Sequence, residues 1–273
     1  MGNFRVIESS VIGKKHDQNL CEDAVVVTSD FAAVIDGVTD KTGYDYAGVT
    51  GGRFAALILA DAIRGLPRDV DGRTAINLLT DALRTAVASF SGAPANGPAA
   101  VVVIYSAHRR EVWQVGDATF SELGLQPLRQ PVPLLIDEVH CRIRSTVLHQ
   151  LLAEGVPADV LARTDPGRAE ILPTLTSQHL HRNKPGMFGF GAIDGTPVPD
   201  EFVETYWLDD DVTELVLFSD GYPAAYRTLA EAETQLTVLL AADPLCINEL
   251  QGTKALNPEL LSFDDRSYLR FSI

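Results

Sequence analysis

The chain has 273 residues, of which 46% are apolar, and its 22 Lys and Arg against 37 Asp and Glu give a formal net charge of −15. A chain of this size builds a globular core, and so large a negative charge argues against binding to nucleic acids or anionic membranes by charge. Three widely spaced cysteines without a CxxC pair, and no apolar run of about 18 residues, exclude a disulfide framework and a membrane span. We therefore expect a cytoplasmic protein that binds neither nucleic acid nor membrane.

The first third of the chain predicts a β-hairpin followed by two helices. Residues 24–30 (AVVVTSD) and 31–37 (FAAVIDG) are β-rich runs separated by a polar break. Residues 53–63 are apolar almost all round, as in a helix packed on a sheet, and residues 74–90 repeat apolar side chains at the spacing of an amphipathic helix.

The rest of the chain predicts a second hairpin at 100–106 and 111–117, a mostly helical segment at about 134–184, and further strands at 186–195, 202–208 and 213–221. A helix at 229–241 and a last strand after SFDDRS complete the pattern. Strands and helices are grouped instead of alternating strictly, so the class is α+β with a largely antiparallel sheet and not a Rossmann fold. No linker divides the chain, which predicts one domain over 1–273.

Five short acidic motifs border these predicted strands. Each alone reads as an ordinary turn, since Asp and Gly are common where a chain reverses. The motifs contribute Glu22 with Asp23, Asp36 with Gly37, Asp117, Asp220, and Asp264 with Asp265. Carboxylates crowded at one sheet edge would repel one another unless cations neutralised them, and oxygen ligands without Cys or His favour Mg²⁺ or Mn²⁺ over zinc.

The order CEDA, AVIDGVTD, VWQVGD, LFSDGYP and SFDDRSYLRF resembles that of the metal-dependent protein phosphatases, the PPM or type 2C family, over nearly the whole chain. This resemblance implies a four-layer α-β-β-α sandwich, with two mostly antiparallel sheets flanked by helices. It also implies two Mg²⁺ or Mn²⁺ ions, with a possible third, and attack on phosphorus by water held between the metals.

The resemblance assigns roles by position. Asp36 would bridge both metals and the Gly37 carbonyl would ligate one of them, while Asp220 and Asp264 would hold the other. Glu22 and Asp23 match an acidic pair that contacts metal directly or through water, and Asp117 with Asp220 matches the pair at a third, weaker metal. Asp36 and Asp220 are thus the candidate catalytic residues. The family register favours Asp264 over Asp265 as the ligand.

Three positions depart from the family pattern. Val38 follows Asp-Gly where common members have the histidine proposed as general acid. Gln18 stands where an arginine usually grips the substrate phosphate, with Lys14, Lys15 and His16 as candidate substitutes. Ala118-Thr119 follows Gly-Asp in place of Ser-Arg. These changes leave the metal-binding acids intact and leave the substrate-binding residues unknown.

The resulting hypothesis is a metal-dependent phosphatase that hydrolyses phosphomonoesters, with the phosphoserine or phosphothreonine of a protein as the family-typical substrate. A small phosphoester is the alternative within that class. A catalytically inactive domain that binds a partner, and another ester hydrolase using the same metals, are further alternatives. We expect the segment at about 134–184 to vary within the family, to cover the site and to set its specificity.

The remaining residues and motifs that could bind a metal or a cofactor, or react, are better explained by structural roles. Asp209, Asp210 and Asp211 predict a solvated turn, because adjacent acids in an extended chain point in different directions. His179 and His181 alternate as on one strand face but lack a third ligand, and Cys21 reads as a buried structural thiol. The glycine-rich GFGAIDG lacks the spacing of a dinucleotide loop.

Overall fold

The computed structural model of the chain describes residues 4–39, 41–124, 127–257 and 259–273. Its strands are β1 Arg5–Ile12, β2 Ala24–Val27, β3 Phe31–Gly37, β4 Ala100–Ser106, β5 Glu111–Val115, β6 Thr119–Glu122, β7 Glu204–Trp207, β8 Glu214–Phe218 and β9 Arg266–Ser272. Its α-helices are α1 Gly51–Arg64, α2 Gly72–Val87, α3 Leu135–Ala153, α4 Ala158–Thr164, α5 Pro166–Ser177 and α6 Leu229–Ala242.

The strands form two antiparallel sheets, one in the order β2-β3-β4-β5-β7 and the other in the order β1-β9-β8-β6. Strand β4 is buried along its whole length, which explains its unbroken apolar sequence. Val102 and Ile104 face one core cluster, and Val101 and Val103 face another, because successive side chains of a strand point to opposite faces.

Helices cover the outer faces of both sheets. The buried side chains of α1 and α2 pack on β3, β4 and β5, and those of α6 pack on β8 and β9. The two sheets enclose a third core between them. This arrangement is the predicted α+β sandwich of four layers, which the structure confirms.

Local sequence signals place the helix ends. The side chain of Thr50 accepts a hydrogen bond from the Arg53 amide at the start of α1, and Asp71 accepts one from the Thr74 amide at the start of α2. These residues satisfy amide groups that have no partner inside the helix. Helices α3, α4 and α5 occupy most of the segment predicted as helical at about 134–184.

Two local expectations need correction. No strand forms at 186–195, where the described residues make only isolated bridges at Phe190 and Ile193. Glycines there adopt positive φ, 140° at Gly186 and 88° at Gly195, which interrupts a ladder. His179 and His181 lie in a 3-10 turn over Gln178–His181 and not on a strand.

Strands β1 and β6 are additions that the sequence patterns did not predict. Strand β1 carries a register shift between Val6 and Glu8, which disturbs its apolar alternation. Strand β6 has only four residues, three of them polar, and is recognisable only from its pairing with β8. Among the described residues, no helix is both long enough and apolar enough to cross a bilayer.

Candidate active site

Strand ends from both sheets bring the predicted carboxylates to one cleft. Asp36 lies near the end of β3, Asp117 follows β5, Asp220 follows β8, and Asp264 precedes β9. All four line a single cleft of about 540 Å³, together with Gly37. The structure therefore brings together residues that are up to 228 positions apart, since 264 − 36 = 228.

Two glycines allow the backbones beneath the cleft to approach closely. A Cβ on Gly37 would collide with the carbonyl oxygens of Gly52 and Glu22, and a Cβ on Gly221 would collide with the carbonyl of Asp265. The Gly that follows each Asp in the IDG and SDG motifs is therefore required by packing. These contacts hold the strand ends that carry Asp36 and Asp220.

The cleft carboxylates disfavour one another's ionisation. The negative charges of Asp23, Asp117 and Asp264 act on the carboxyl groups of both Asp36 and Asp220. Shielding by the surrounding protein, followed by the charges of neighbouring acids, raises the pKa of both well above its usual value. Asp220 is exposed to the cleft, so repulsion by the neighbouring carboxylates is an important cause of its raised pKa. Burial and the charge of Asp137 raise the pKa of Asp117 to about 7.

Asp23 lies beneath the cleft and not on its lining. Its Oδ2 accepts hydrogen bonds from Ser219 Oγ at 2.6 Å and Ser267 Oγ at 2.8 Å, which ties β2 to the other sheet. Its Oδ1 is buried without a hydrogen-bond partner among the described residues. Burial raises the pKa of this carboxyl to about 7.

Lys14 enters the acidic cluster from the end of β1. Its Nζ lies 2.8 Å from Asp264 Oδ1, 3.0 Å from Asp265 Oδ2 and 3.4 Å from Glu22 Oε2. The same ammonium donates to Thr39 Oγ1 at 3.0 Å, and the residue is only 6% exposed. Burial lowers the pKa of Lys14, but the charges of the three carboxylates outweigh burial and raise it above its usual value.

Asp264 and Asp265 have different roles. Asp265 is buried, and its two oxygens accept from the Lys14 amide at 2.7 Å and the Glu22 amide at 3.2 Å, so it holds two backbone segments together. Asp264 faces the cleft and lies 3.5 Å from Lys254 Nζ. Burial raises the pKa of Asp264, but Lys254 and Lys14 together hold it below its usual range.

Only Lys14, of the candidate substitutes for the phosphate-gripping arginine, reaches the cluster. Gln18 is exposed and turns back to its own segment, where its Oε1 accepts from the Gly13 amide at 2.8 Å. Lys15 and His16 are exposed and do not line the cleft.

The outer part of the cleft is formed by the helical segment and by residues 248–254. Helix α3 contributes Asp137, Glu138 and Arg142, and helix α5 contributes Arg168. The cleft thus has an acidic floor and cationic groups on its rim. The rim cations are Lys41, Arg142, Arg168, Arg182 and Lys254.

The carboxylate oxygens in the cleft are ligands of the kind that binds divalent cations. Asp36, Asp117 and Asp220 form no ion pair with any described Lys, Arg or His, so their negative charge has no counterion within the described chain. Hard cations such as Mg²⁺ and Mn²⁺ prefer such oxygen ligands. The described side chains nevertheless contain no ready-made group of three His, Cys, Asp or Glu spaced for metal. Cation binding therefore requires these carboxylates to move closer together than they lie in the structure.

Comparison with known proteins agrees with this architecture. No family model matches the chain, and no curated protein matches it. Among solved structures, the serine/threonine phosphatase Stp1 from Staphylococcus aureus is 14% identical, with 100% of this chain and 95% of that chain covered and a TM-score of 0.52. A bacterial serine phosphatase is 14% identical over 97% and 96% of the two chains, with a TM-score of 0.51.

The catalytic domain of the serine/threonine protein phosphatase PstP, solved with two manganese ions, is 14% identical over 98% of both chains with a TM-score of 0.50. At this level of identity the likeness concerns the fold. The chain has the fold of PPM-type serine/threonine phosphatases, as its motif order predicts.

Proposed function

We propose that the chain is a divalent-cation-dependent phosphatase that hydrolyses phosphomonoesters. The observation that carries this proposal is the meeting of Asp36, Asp117 and Asp220 in one cleft without a counterion from the described chain. Uncompensated carboxylates are costly for a fold, so their retention at three strand ends favours a cation as the missing partner. The similar structures named above are serine or serine/threonine phosphatases, one of them with manganese bound, which supports the same class.

In this proposal Asp36 and Asp220 hold the cation, and the Gly37 carbonyl lies beside them. Asp23, Asp117 and Asp264 add negative charge around the site. A bound Mg²⁺ or Mn²⁺ would supply charge that stabilises the phosphoryl group in the transition state and lowers the pKa of water. Asp36 and Asp220 would bind the cation as ionised carboxylates, since a nearby positive charge favours the charged form. Asp264 is already held ionised by Lys14 and Lys254.

The rim of the cleft is the proposed binding region for the substrate phosphate. Arg168 and Lys254 lie on the lining, and Lys254 already contacts Asp264 at the floor. Val38 offers no proton to the leaving group, so we propose that water protonates it. We propose phosphoserine or phosphothreonine of a protein as substrate and keep a small phosphoester as the alternative.

The test is hydrolysis of para-nitrophenyl phosphate with Mn²⁺, with Mg²⁺ and with a chelator, comparing the wild type with Asp220→Asn. Asp209→Asn is the matched control, because Asp209 is an exposed turn residue between β7 and β8. We expect metal-dependent turnover in the wild type and the control, and a loss of at least about 100-fold in Asp220→Asn.

Absence of turnover with either metal, in folded wild-type protein, would contradict the proposal and favour the inactive binding domain. The substrate class is a separate measurement. Phosphopeptides carrying phosphoserine or phosphothreonine should give higher kcat/KM than para-nitrophenyl phosphate, whereas the reverse order would favour the small phosphoester.

A further inference from the structure

The ammonium of Lys14 lies in the middle of carboxylates that the family resemblance assigns to metal. We propose that Lys14 is a built-in cation that replaces one divalent ion, so that the chain binds a single ion, at Asp36 and Asp220. This inference rests on the proposed cation-dependent function and deepens it, because it concerns how many ions the same centre takes.

The first step of the argument is that the Lys14 ammonium has no free donor. An ammonium carries three N–H groups, and four protein oxygens lie within 3.4 Å of Lys14 Nζ, on Thr39, Asp264, Asp265 and Glu22. Lys14 is therefore not available to grip a substrate phosphate. Its role is to neutralise the acids around it.

The second step is that both oxygens of Glu22 already have partners within the chain. Its Oε2 lies 3.4 Å from Lys14 Nζ, and its Oε1 accepts a hydrogen bond from Thr50 Oγ1 at 2.7 Å. Thr50 is held in turn as the N-cap of α1. An ion shared by Glu22 and the Gly37 carbonyl would therefore have to compete with Lys14 and Thr50 for the Glu22 carboxylate.

The third step is that the backbone fixes Lys14 in this position. Its amide donates to Asp265 Oδ1 at 2.7 Å, and its carbonyl accepts from the Leu261 amide at 2.7 Å. The adjacent Lys15 forms a β-bridge with Leu260. Because both sides of Lys14 are tied to the segment before β9, its side chain is preorganised and not merely drawn to the nearest charge.

The fourth step is the distribution of charge. Lys14 and Lys254 contact Glu22, Asp264 and Asp265, while Asp36 and Asp220 make no ion pair within the described residues. The unmet negative charge is therefore that of Asp36, Asp117 and Asp220, which pair with neither lysine. One divalent cation held by Asp36 and Asp220 would offset it.

The experiment is a count of Mn²⁺ ions bound per chain, by isothermal titration and by the loss of the free-Mn²⁺ electron paramagnetic resonance signal. An acidic chain also binds Mn²⁺ loosely at its surface, so only ions lost in an Asp36→Asn variant are counted. We expect one such ion in the wild type and in Lys15→Met, an exposed neighbouring lysine, and two in Lys14→Met.

Two such ions in the wild type, or an unchanged count of one in folded Lys14→Met, would overturn the inference while leaving the proposed function standing. No ion in the wild type would overturn both. Lys14→Met leaves buried acids without a counterion, so its folding is followed by thermal melting with chelator and with Mn²⁺. We expect Mn²⁺ to raise its Tm more than that of the wild type, and an equal rise would count against the inference.

If Lys14→Met does not fold under either condition, the variant Lys14→Met/Glu22→Gln removes one uncompensated charge and is carried through the same count. We expect it to bind one ion, since it lacks both the ammonium and the carboxylate that the second ion needs. A wild-type count of two overturns the inference whether or not either variant folds.

Discussion

The buried guanidinium of Arg144 joins the helical segment to the outer wall of the cleft. Removing it tests how much these contacts contribute to the free energy of unfolding. Arg144 on α3 is fully buried, with its Nε 3.0 Å and its Nη2 3.0 Å from the carboxylate of Asp165. Its Nη1 donates to the carbonyls of Cys246 at 3.1 Å and Gly252 at 2.9 Å. Residues 248–254 line the cleft, so Arg144 connects the helical segment to the cleft wall.

The perturbation is Arg144→Met, which keeps much of the side-chain length and removes every donor. Asp165 would remain as a nearly buried, unpaired carboxylate, 13% exposed, that also caps α5 through the Arg168 amide at 3.0 Å. Breaking a buried pair by removing one partner costs about 3–5 kcal/mol, and total stability is about 5–15 kcal/mol. We expect a loss of about 3–5 kcal/mol in the free energy of unfolding.

The assay is urea denaturation, with Arg163→Met as the control. Arg163 pairs with Asp159 at 2.6 Å, but both side chains are more than half exposed, so the expected loss is below about 1 kcal/mol. The double variant Arg144→Met/Asp165→Asn should recover part of the loss, since it removes the uncompensated charge. A loss below about 1 kcal/mol in Arg144→Met at an unchanged m-value would refute the reasoning.

Three further outcomes follow from close contacts and burial. Gly221→Ala should lower the free energy of unfolding by about 1–3 kcal/mol, measured by urea denaturation, because its Cβ would collide with the Asp265 carbonyl. Thr50→Val should cost about 1–2 kcal/mol in the same assay, because it removes the N-cap of α1 and the donor to Glu22 Oε1. Cys141, whose pKa burial raises from 9.0 to about 12, should react with DTNB roughly a thousandfold more slowly in native protein than in urea at pH 8.

Each of these outcomes has its control. Gly65→Ala should change stability little, because its Cβ would meet only the Ala62 carbonyl at an ordinary 3.6 Å. Thr50→Ser retains both hydrogen bonds and should behave nearly as the wild type, so an equal loss in Thr50→Ser and Thr50→Val would point away from the hydroxyl. Rapid reaction of native Cys141 with DTNB would contradict its burial.

Because the pKa of Cys141 is raised in the folded chain, its contribution to stability should fall as the pH rises. The folded chain retains the thiol proton between the unfolded pKa of 9.0 and the folded value of about 12, so over this range it binds more protons than the unfolded chain. The contribution of this thiol is present below pH 9 and is lost as the pH rises toward 12. Cys141→Ser, titrated by urea denaturation across this range, should lack that component.

Hydrophobic patterning predicted individual strands and helices well where both faces of an element meet apolar neighbours, while the sandwich was what the family resemblance implied. The runs at 24–37 and 100–106 appear as β2, β3 and β4, and the amphipathic pattern at 74–90 appears as α2. Patterning failed where side chains are polar or glycines interrupt pairing, as in β6 and at 186–195. The single domain over 1–273 stays a prediction.

The order of the acidic motifs predicted which carboxylates meet, because each lies next to an element that its own residues specify. Asp36, Asp117, Asp220 and Asp264 reach one cleft as expected, and their ligation of metal remains a proposal.

The sequence by itself therefore determined most strands and helices and the carboxylates at the strand ends, since short-range periodicity and turn chemistry act within a few residues. Only the tertiary structure placed Lys14 among Glu22, Asp264 and Asp265, and Arg144 against residues 245–252. Lys14 and Asp264 are 250 positions apart, and Arg144 and Gly252 are 108 apart. The packing of whole elements determines which of these distant residues meet. A cationic side chain can be buried there because several oxygen atoms converge on it and replace the water that it loses.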